Sequence, residues 1–440
     1  MDVLRDGIEA DLKEFNVPGA SWVVIEDGET KETGTAGLVE AGRSAAVAPD
    51  TLFQAASISK PIAVLAMLRL VDRGLLDLDE DVNRKLTSWQ VPPARSWEPI
   101  VTLRQLASHS AGLTVPGFPG YRRDAVLPTT VQVLDGVRPA NTFGVRVDLV
   151  PGTQFRYSGG GTMVLQQLLE DVTGAPFRQL ARELVLEPLG MSDSDFAQPL
   201  PPELHARAAI AHDELGRPLD GQWHAYPELA AAGLWTTPTD LAKLAIGVQR
   251  AYVGTDDTLL SPGLARDMLA PQIAANEPIG GLTQLGLGFF LDEPGRRFGH
   301  SGGNAGFRCH LMAYRDTGQG AVVMTNADRG YWVALRAFAG AASAYGWEGY
   351  PEDVELPDLP ADAVLAKLVG AYQLDGRLAF MIERWGSGLE VTFDGQPPLR
   401  LLAQSATRFG WVGFDTEFEV REDGGLVFRQ GGAELDCTRE

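Results

Sequence analysis

Ser57 and Lys60 stand three residues apart in "FQAASISKPIAVLAML", at the mouth of a long apolar run. On one helical turn that spacing puts both side chains on one face. A serine hydroxyl is a weak nucleophile until a neighbouring base takes its proton. A lysine ammonium, with a reference pKa of about 10.4, cannot take it. Burial by the apolar run, in a positive local potential, would lower that value and make the amine a base. The chain has six lysines, and Lys60 alone has a serine three residues ahead of it. The competing explanation is a helix start with an ordinary polar first turn. Pro61 adds a second signal. Its ring is expected to clash with the carbonyl of Ser57 and to bias Lys60 away from helical angles, which distorts the first turn.

Two more segments carry candidate chemistry. In "FRYSGGGTMVLQQLLEDVTG", Tyr157 lies just ahead of a glycine-rich helix entry that includes Gly159. A phenol there could relay a proton; taken alone, it reads as a core or rim aromatic. In "RRFGHSGGNAGFRCHLMAY", Gly299-His300-Ser301-Gly302-Gly303 matches the Gly-x-Ser-x-Gly pattern of a nucleophile elbow. An elbow needs a strand before it and a helix after it. The residues that follow alternate as strands, so the glycines read better as letting a substrate approach a strand edge, with a plain Gly-rich loop as the rival. His109 in "ASHSAGL" reads as structural, and His224, beside Trp223 and near Tyr226, as a candidate rim residue.

The elements that must position these residues come from a 440-residue chain, enough for a large domain and a smaller one. Hydrophobic residues make up 45% and charged residues 22%, ordinary for a globular protein. A formal net charge of -21 repels nucleic-acid phosphates and anionic membrane surfaces, so neither is expected as a partner. Two distant cysteines, Cys309 and Cys437, and six scattered histidines suggest neither a disulfide framework nor a zinc site. The first residues carry acids and no apolar h-region, and no apolar run approaches the roughly 18 residues of a membrane span. A cytoplasmic location is expected, export requiring a leader already removed.

Gly19 to Gly37 alternates like a hairpin turning at Asp27-Gly28. The apolar run from Pro61 to Val71 predicts a helix stopped by Gly74. "LDLDEDVNRKL" predicts a loop into a short helix. Gly159 to Gly174 reads as a helix with a glycine stop. Thr237, Pro238 and Asp240 are cap, first and third residues of another. Phe307 to Ala327 reads as two strands around Asp316-Thr317-Gly318, and Trp332 to Tyr345 as a helix. From about residue 350 the chain turns acidic and Pro-rich, and a linker is expected over 351–365 between a domain of residues 1–350 and one of 366–440. Beyond Tyr372, six short alternating segments from "LAFMIERW" to "GLVFRQ" predict a small β-barrel.

In this order, the three chemical segments resemble the serine β-lactamase and penicillin-binding-protein-like superfamily. The closest likeness is to its class C-like branch of esterases and D-amino-acid peptidases. "LLDLDEDVN", "VTLRQLASHSAGL", "PGTQFRYSGGG", "AAGLWTTPTDLAKLA" and "GHSGGNAGF" agree with it, over roughly residues 10 to 345. The resemblance implies an α+β, β-lactamase-like fold: an antiparallel sheet flanked by helices, a mostly helical subdomain and a small C-terminal β-barrel similar to appended lipocalin-like domains. It implies Ser57 as nucleophile, Lys60 as its base or electrostatic activator, and Tyr157 as proton relay to the leaving group. The backbone N–H groups of Ser57 and Gly303 would form the oxyanion hole. His300-Ser301-Gly302 stands where the family often has Lys-Thr-Gly. Gly159 stands where the tyrosine motif often ends in Asn, a residue that helps hold the amide side chain of β-lactams. Both departures favour an ester, amide or small peptide, D-configured peptides included, over a penicillin. No metal or organic cofactor is implied, and small-molecule substrates are the expected partners; the sequence carries no signal for an oligomeric state. Two rivals remain at this level: a protein on the same fold that binds or is acylated without turnover, and an α/β-hydrolase esterase using Ser301.

Overall fold

Asp27 and Gly28 both take positive φ, 54° and 70°, as a two-residue hairpin turn requires. In the computed structural model they join β1 (Gly19–Glu26) to β2 (Glu29–Gly37). Residues 4–440 are described apart from 95–96, 280, 294, 351–361, 377, 386–387, 394–398, 404, 411–415, 422 and 431–432. Four two-residue strands come next: β3 (Phe53–Gln54), β4 (Tyr121–Arg122), β5 (His224–Ala225) and β6 (Trp235–Thr236). Then follow β7 (Ile273–Ile279), β8 (Leu282–Leu285), β9 (Phe290–Leu291), β10 (Arg297–Asn304), β11 (Phe307–Tyr314) and β12 (Gly320–Thr325). The main sheet is antiparallel, in the order β2-β1-β12-β11-β10-β9-β8-β7.

Every residue of β11 and β12 is buried, because helices cover both faces of the sheet centre. Side chains alternate between faces. Cys309 reaches the Ala55 carbonyl on one side, while the ring of His310 stacks edge-on to Phe338 of the helix Gly330–Tyr345 on the other, at 5.0 Å. The helix Pro238–Val253 opens with the expected cap, the Thr237 hydroxyl accepting from the Asp240 N–H.

The helix Ser59–Asp72 is buried on nearly all sides, which explains its unbroken apolar run. Pro61 does not distort it, and Lys60 is helical against expectation. Proline in the first turn removes an N–H that has no intrahelical partner anyway. The distortion sits one step earlier, in the 3-10 turn Ala56–Ile58 that carries Ser57, where Ala56 has φ 50°. The helix Gly159–Thr173 packs against Ser59–Asp72 and ends at the left-handed Gly174. Among the described residues no helix is long and apolar enough to cross a membrane.

The chain divides into two compact units, Met1–Val354 and Glu355–Glu440. Residues 351–361 of the expected linker lie outside the described residues, and 362–365 are helical instead. They belong to the helix Asp362–Leu368, whose Leu365 and Leu368 are one turn apart and enter the core of the second unit. That unit is a closed barrel of eight strands in sequence order. They are β13 (Gly370–Leu374), β14 (Leu378–Trp385), β15 (Gly388–Phe393), β16 (Leu399–Ala403), β17 (Arg408–Gly410), β18 (Thr416–Val420), β19 (Leu426–Gln430) and β20 (Ala433–Arg439). The six segments expected from sequence omit the first and last of these, whose pairing closes the barrel with Leu374 opposite Cys437. Alternation brings Tyr372, Phe380, Phe393, Phe418 and Phe428 into its core.

Candidate active site

The turn that carries Ser57 is held from two sides. β3 pairs with β6, Gln54 opposite Trp235, and the next residues continue the grip. The Ala55 N–H donates to the Leu234 carbonyl at 2.9 Å, and the Leu234 N–H donates to Ser59 Oγ at 3.1 Å. Across the turn lies β10, so close that a Cβ on Gly302 would come within 2.1 Å of the Ala55 oxygen. Cys309 Sγ lies 3.1 Å from the same oxygen. The left-handed conformation of Ala56 costs about 1–3 kcal/mol and persists because its neighbours fix it. The strain is spent on holding Ser57, half-buried, where the helix begins.

Lys60, 4% exposed, sets its Nζ 3.0 Å from Ser57 Oγ and 2.9 Å from the Ala231 carbonyl. Burial pulls its pKa from the ordinary 10.5 to about 7. Its place in the first turn, at the positive end of the helix dipole, acts in the same direction. Near neutral pH a large fraction of the amine is uncharged, with a lone pair able to accept the Ser57 proton.

Tyr157 is buried one residue ahead of the N-cap Ser158. Its ring lies 5.0 Å from Lys60 Nζ. Burial pushes its phenol above the ordinary range, and a hydrogen bond with the Ser57 side chain works the other way. His109 packs on the same ring at 4.3 Å between centroids, and its Nδ1 accepts the Ser158 N–H at 3.2 Å. Burial, then the charges of Lys60 and His300, hold His109 well below its ordinary pKa. It supports Tyr157 structurally, yet it belongs to the site rather than to a remote core.

β10 brings the third segment alongside. The His300 ring is 6.3 Å from that of Tyr157 and 5.3 Å from that of Phe290. Its Nδ1 donates to the Ser301 carbonyl at 2.6 Å, since a carbonyl can only accept. Burial, with the Lys60 charge as the second cause, pushes its pKa down to about 3, so the ring is neutral. Ser301 sits inside the strand, opposite His310, and the chain turns directly into β11. No strand-to-helix elbow is formed there, which overturns the α/β-hydrolase reading of Ser301. Gly303 pairs with Arg308. Gly159 begins its helix with no room for a side chain, since a Cβ would come within 2.9 Å of Phe118 Cε2. His224 is half-buried in β5, its carbonyl accepting the Gln54 amide at 2.8 Å.

Ser57, Lys60, Tyr157, His300 and Gly302 are therefore brought together, and His224 is linked to them through Gln54. Sequence reasoning missed the residues that tie the parts to one another. Asn304, at the end of β10, donates to Gln54 Oε1 at 2.7 Å and to the Ala232 carbonyl at 3.1 Å. Phe290 stacks beside Tyr157 at 6.3 Å. A bond between side chains 250 residues apart leaves no local pattern to read. Among the described residues no group of three or more His, Cys, Asp or Glu is placed to hold a metal ion.

Several known proteins resemble this chain. The chain is 28% identical over 308 residues to an esterase, EstB, of Burkholderia gladioli, covering 66% of this chain and 76% of that one. It is 27% identical over 385 residues to penicillin-binding protein 4 of Amycolatopsis lactamdurans, covering 84% and 97%. The octameric penicillin-binding protein homologue from Pyrococcus abyssi shares the fold with a TM-score of 0.66, at 23% identity over 99% of this chain and 100% of that one. The family model Beta-lactamase matches residues 4–345, and the chain belongs to that family.

Proposed function

We propose that this protein is a serine hydrolase that cleaves carboxylic esters or small amides and peptides through an acyl-enzyme on Ser57. The observation that carries the reading is the 3.0 Å contact between Ser57 Oγ and a buried lysine amine whose pKa is about 7. In the first half-reaction the neutral Lys60–Tyr157 pair takes the Ser57 proton, and Oγ bonds to the substrate carbonyl carbon. The carbonyl oxygen, now negative, is received by the N–H groups of Ser57 and Gly303. The bond to the leaving group breaks as that group takes the proton through Tyr157. Water then repeats the sequence against the acyl-enzyme, returning the proton to Ser57. His300 stays neutral and fills the place beside Tyr157 without holding a charge against the substrate. Relatives named as an esterase and as a penicillin-binding protein support both ester and amide substrates.

Labelling with a fluorophosphonate probe, followed by peptide mapping, tests the assignment. A single adduct on the peptide containing Ser57, lost in Lys60→Ala, is expected; an adduct on Ser301, or none, overturns it. The likeness to a penicillin-binding protein keeps one second reading, acylation without turnover. It would appear as one equivalent of product released in a burst and no steady state.

A further inference from the structure

The segment 115–121, "VPGFPGY", joins two parts of the candidate site. At one end its Val115 and Pro116 carbonyls accept the N–H groups of Gly160 and Gly159 at 2.9 and 3.0 Å, taking the first turn of the helix that follows Tyr157. At the other end the Pro119 carbonyl accepts from the Tyr226 hydroxyl at 3.4 Å and lies 3.1 Å from His224 Nδ1. The Tyr226 oxygen in turn accepts the Ala305 N–H at 2.9 Å, just beyond β10. The segment is thus a strap from the Tyr157 helix to the end of the strand that carries His300 and Gly303, with Phe118 at its middle. The Phe118 ring takes the volume that a side chain at position 159 would need. Pro116, Phe118 and Pro119 are half-buried, and Phe118 also packs against the main core, so each keeps only part of its apolar surface exposed.

Such a wall offers dispersion contacts and removal of apolar surface from water, and nothing for a charge. The cations nearest it are already engaged: Lys60 Nζ meets Ser57 Oγ and the Ala231 carbonyl, Arg122 meets Asp220 at 2.8 Å, and Arg123 lies over the Trp223 ring. His109 and His300 are held neutral by burial. Arg308, the guanidinium beside Gly303, already meets Asp328 at 2.9 Å and the carbonyls of Asn304 and Phe307. We infer that Phe118 is a specificity-determining residue, receiving an uncharged apolar group of the substrate beside Tyr157, so that esters of uncharged apolar acids or alcohols are preferred over substrates ending in a free carboxylate. This rests on the acyl-enzyme reading of Ser57.

The test uses the full chain and two ester series: p-nitrophenyl acetate, butyrate and hexanoate, and methyl to hexyl esters of butyric acid. A p-nitrophenyl hemisuccinate serves as the charged counterpart of the butyrate. Each buried methylene is worth about fourfold. In the wild type, kcat/KM is expected to rise at least fivefold along one series and to fall at least tenfold from butyrate to hemisuccinate. Phe118→Ser should flatten the responsive series to within twofold, while Phe118→Leu preserves the slope and controls for folding. Hemisuccinate turned over as well as butyrate, or a slope unmoved in Phe118→Ser, overturns the inference. Ser57→Ala separates the two claims: retained hydrolysis in that variant defeats the acyl-enzyme reading itself, whereas Ser57-dependent hydrolysis with an unmoved slope defeats only the role of Phe118.

Discussion

The Ala55 carbonyl and the Cα of Gly302 are in close packing, so that a Cβ at 302 would stand 2.1 Å from that oxygen and 2.6 Å from Cys309 Sγ. The strand carrying the His300 motif is therefore the backstop of the Ser57 turn, and the two cannot move independently. Gly302→Ala has to push backbone against backbone. On the proposed mechanism a displacement of about 1 Å at Ser57 costs roughly 100-fold in kcat. Gly303→Ala should lose much less, because the atoms nearest its Cβ are those of the Arg308 side chain, at 3.4 Å and beyond. Steady-state kinetics on the pair checks this; equal losses would detach the strand from the nucleophile.

The base role proposed for Lys60 fixes the pH dependence. With the amine pKa at about 7, kcat/KM should rise through an acidic limb centred near pH 7 and level off above it. His300, pushed down to about 3, does not titrate in that range. His300→Gln should therefore leave the limb where it is even if the plateau falls. Lys60→Ala should lose roughly four orders of magnitude or more, nucleophile and base acting as a unit. A limb that moves with His300 would transfer the base role to the histidine.

Burying Lys60 has an opposite consequence for stability. Its folded pKa of about 7 lies below the unfolded 10.5. Between those values the unfolded chain holds a proton that the folded chain has lost, so this group makes stability rise with pH across that window. At pH 7 and below, the folded protein carries the full penalty of a buried ammonium. Lys60→Met should thus be more stable than the wild type by about 2 kcal/mol or more at pH 6, after loss of two hydrogen bonds worth about 1 kcal/mol each. The gain should shrink toward pH 10. Urea midpoints at pH 6, 8 and 10 measure it, and a gain that does not fall with pH would mean that the amine is not desolvated in solution.

Local chemistry made much of this legible from residue order. Asp27-Gly28 could only turn one way, Thr237-Pro238 could only begin a helix, and the apolar run after Lys60 could only be buried. Those signals are carried by neighbours in sequence. The failures share a physical cause. The Pro61 argument placed the distortion inside the helix, because the capacity of a first turn to accept proline depends on where the helix starts. The strained residue is Ala56, forced by Leu234 and β10 contacts that are distant in sequence. The Ser301 elbow was disfavoured correctly, since alternation after it reads as strand. The Phe118 strap and the Gln54–Asn304 bond were invisible because each joins segments that only the fold brings together.

Tyr157 offers the sharpest separation of roles. Its phenol bonds to Ser57, so on the proposed mechanism removing it should slow attack on every substrate alike. Proton delivery to the leaving group is needed only where that group is a strong base. A p-nitrophenolate departs without a proton; an alkoxide does not. Tyr157→Phe should therefore lose about 100-fold or more in kcat/KM on an ethyl ester and markedly less on the p-nitrophenyl ester of the same acid. The aromatic packing with His109 and Phe290 is kept by phenylalanine, so the fold is not at issue. The ratio of the two losses cancels the shared effect on Ser57 and leaves the leaving-group term alone. Equal losses on both esters would confine Tyr157 to activating Ser57 and assign the departing proton directly to Lys60.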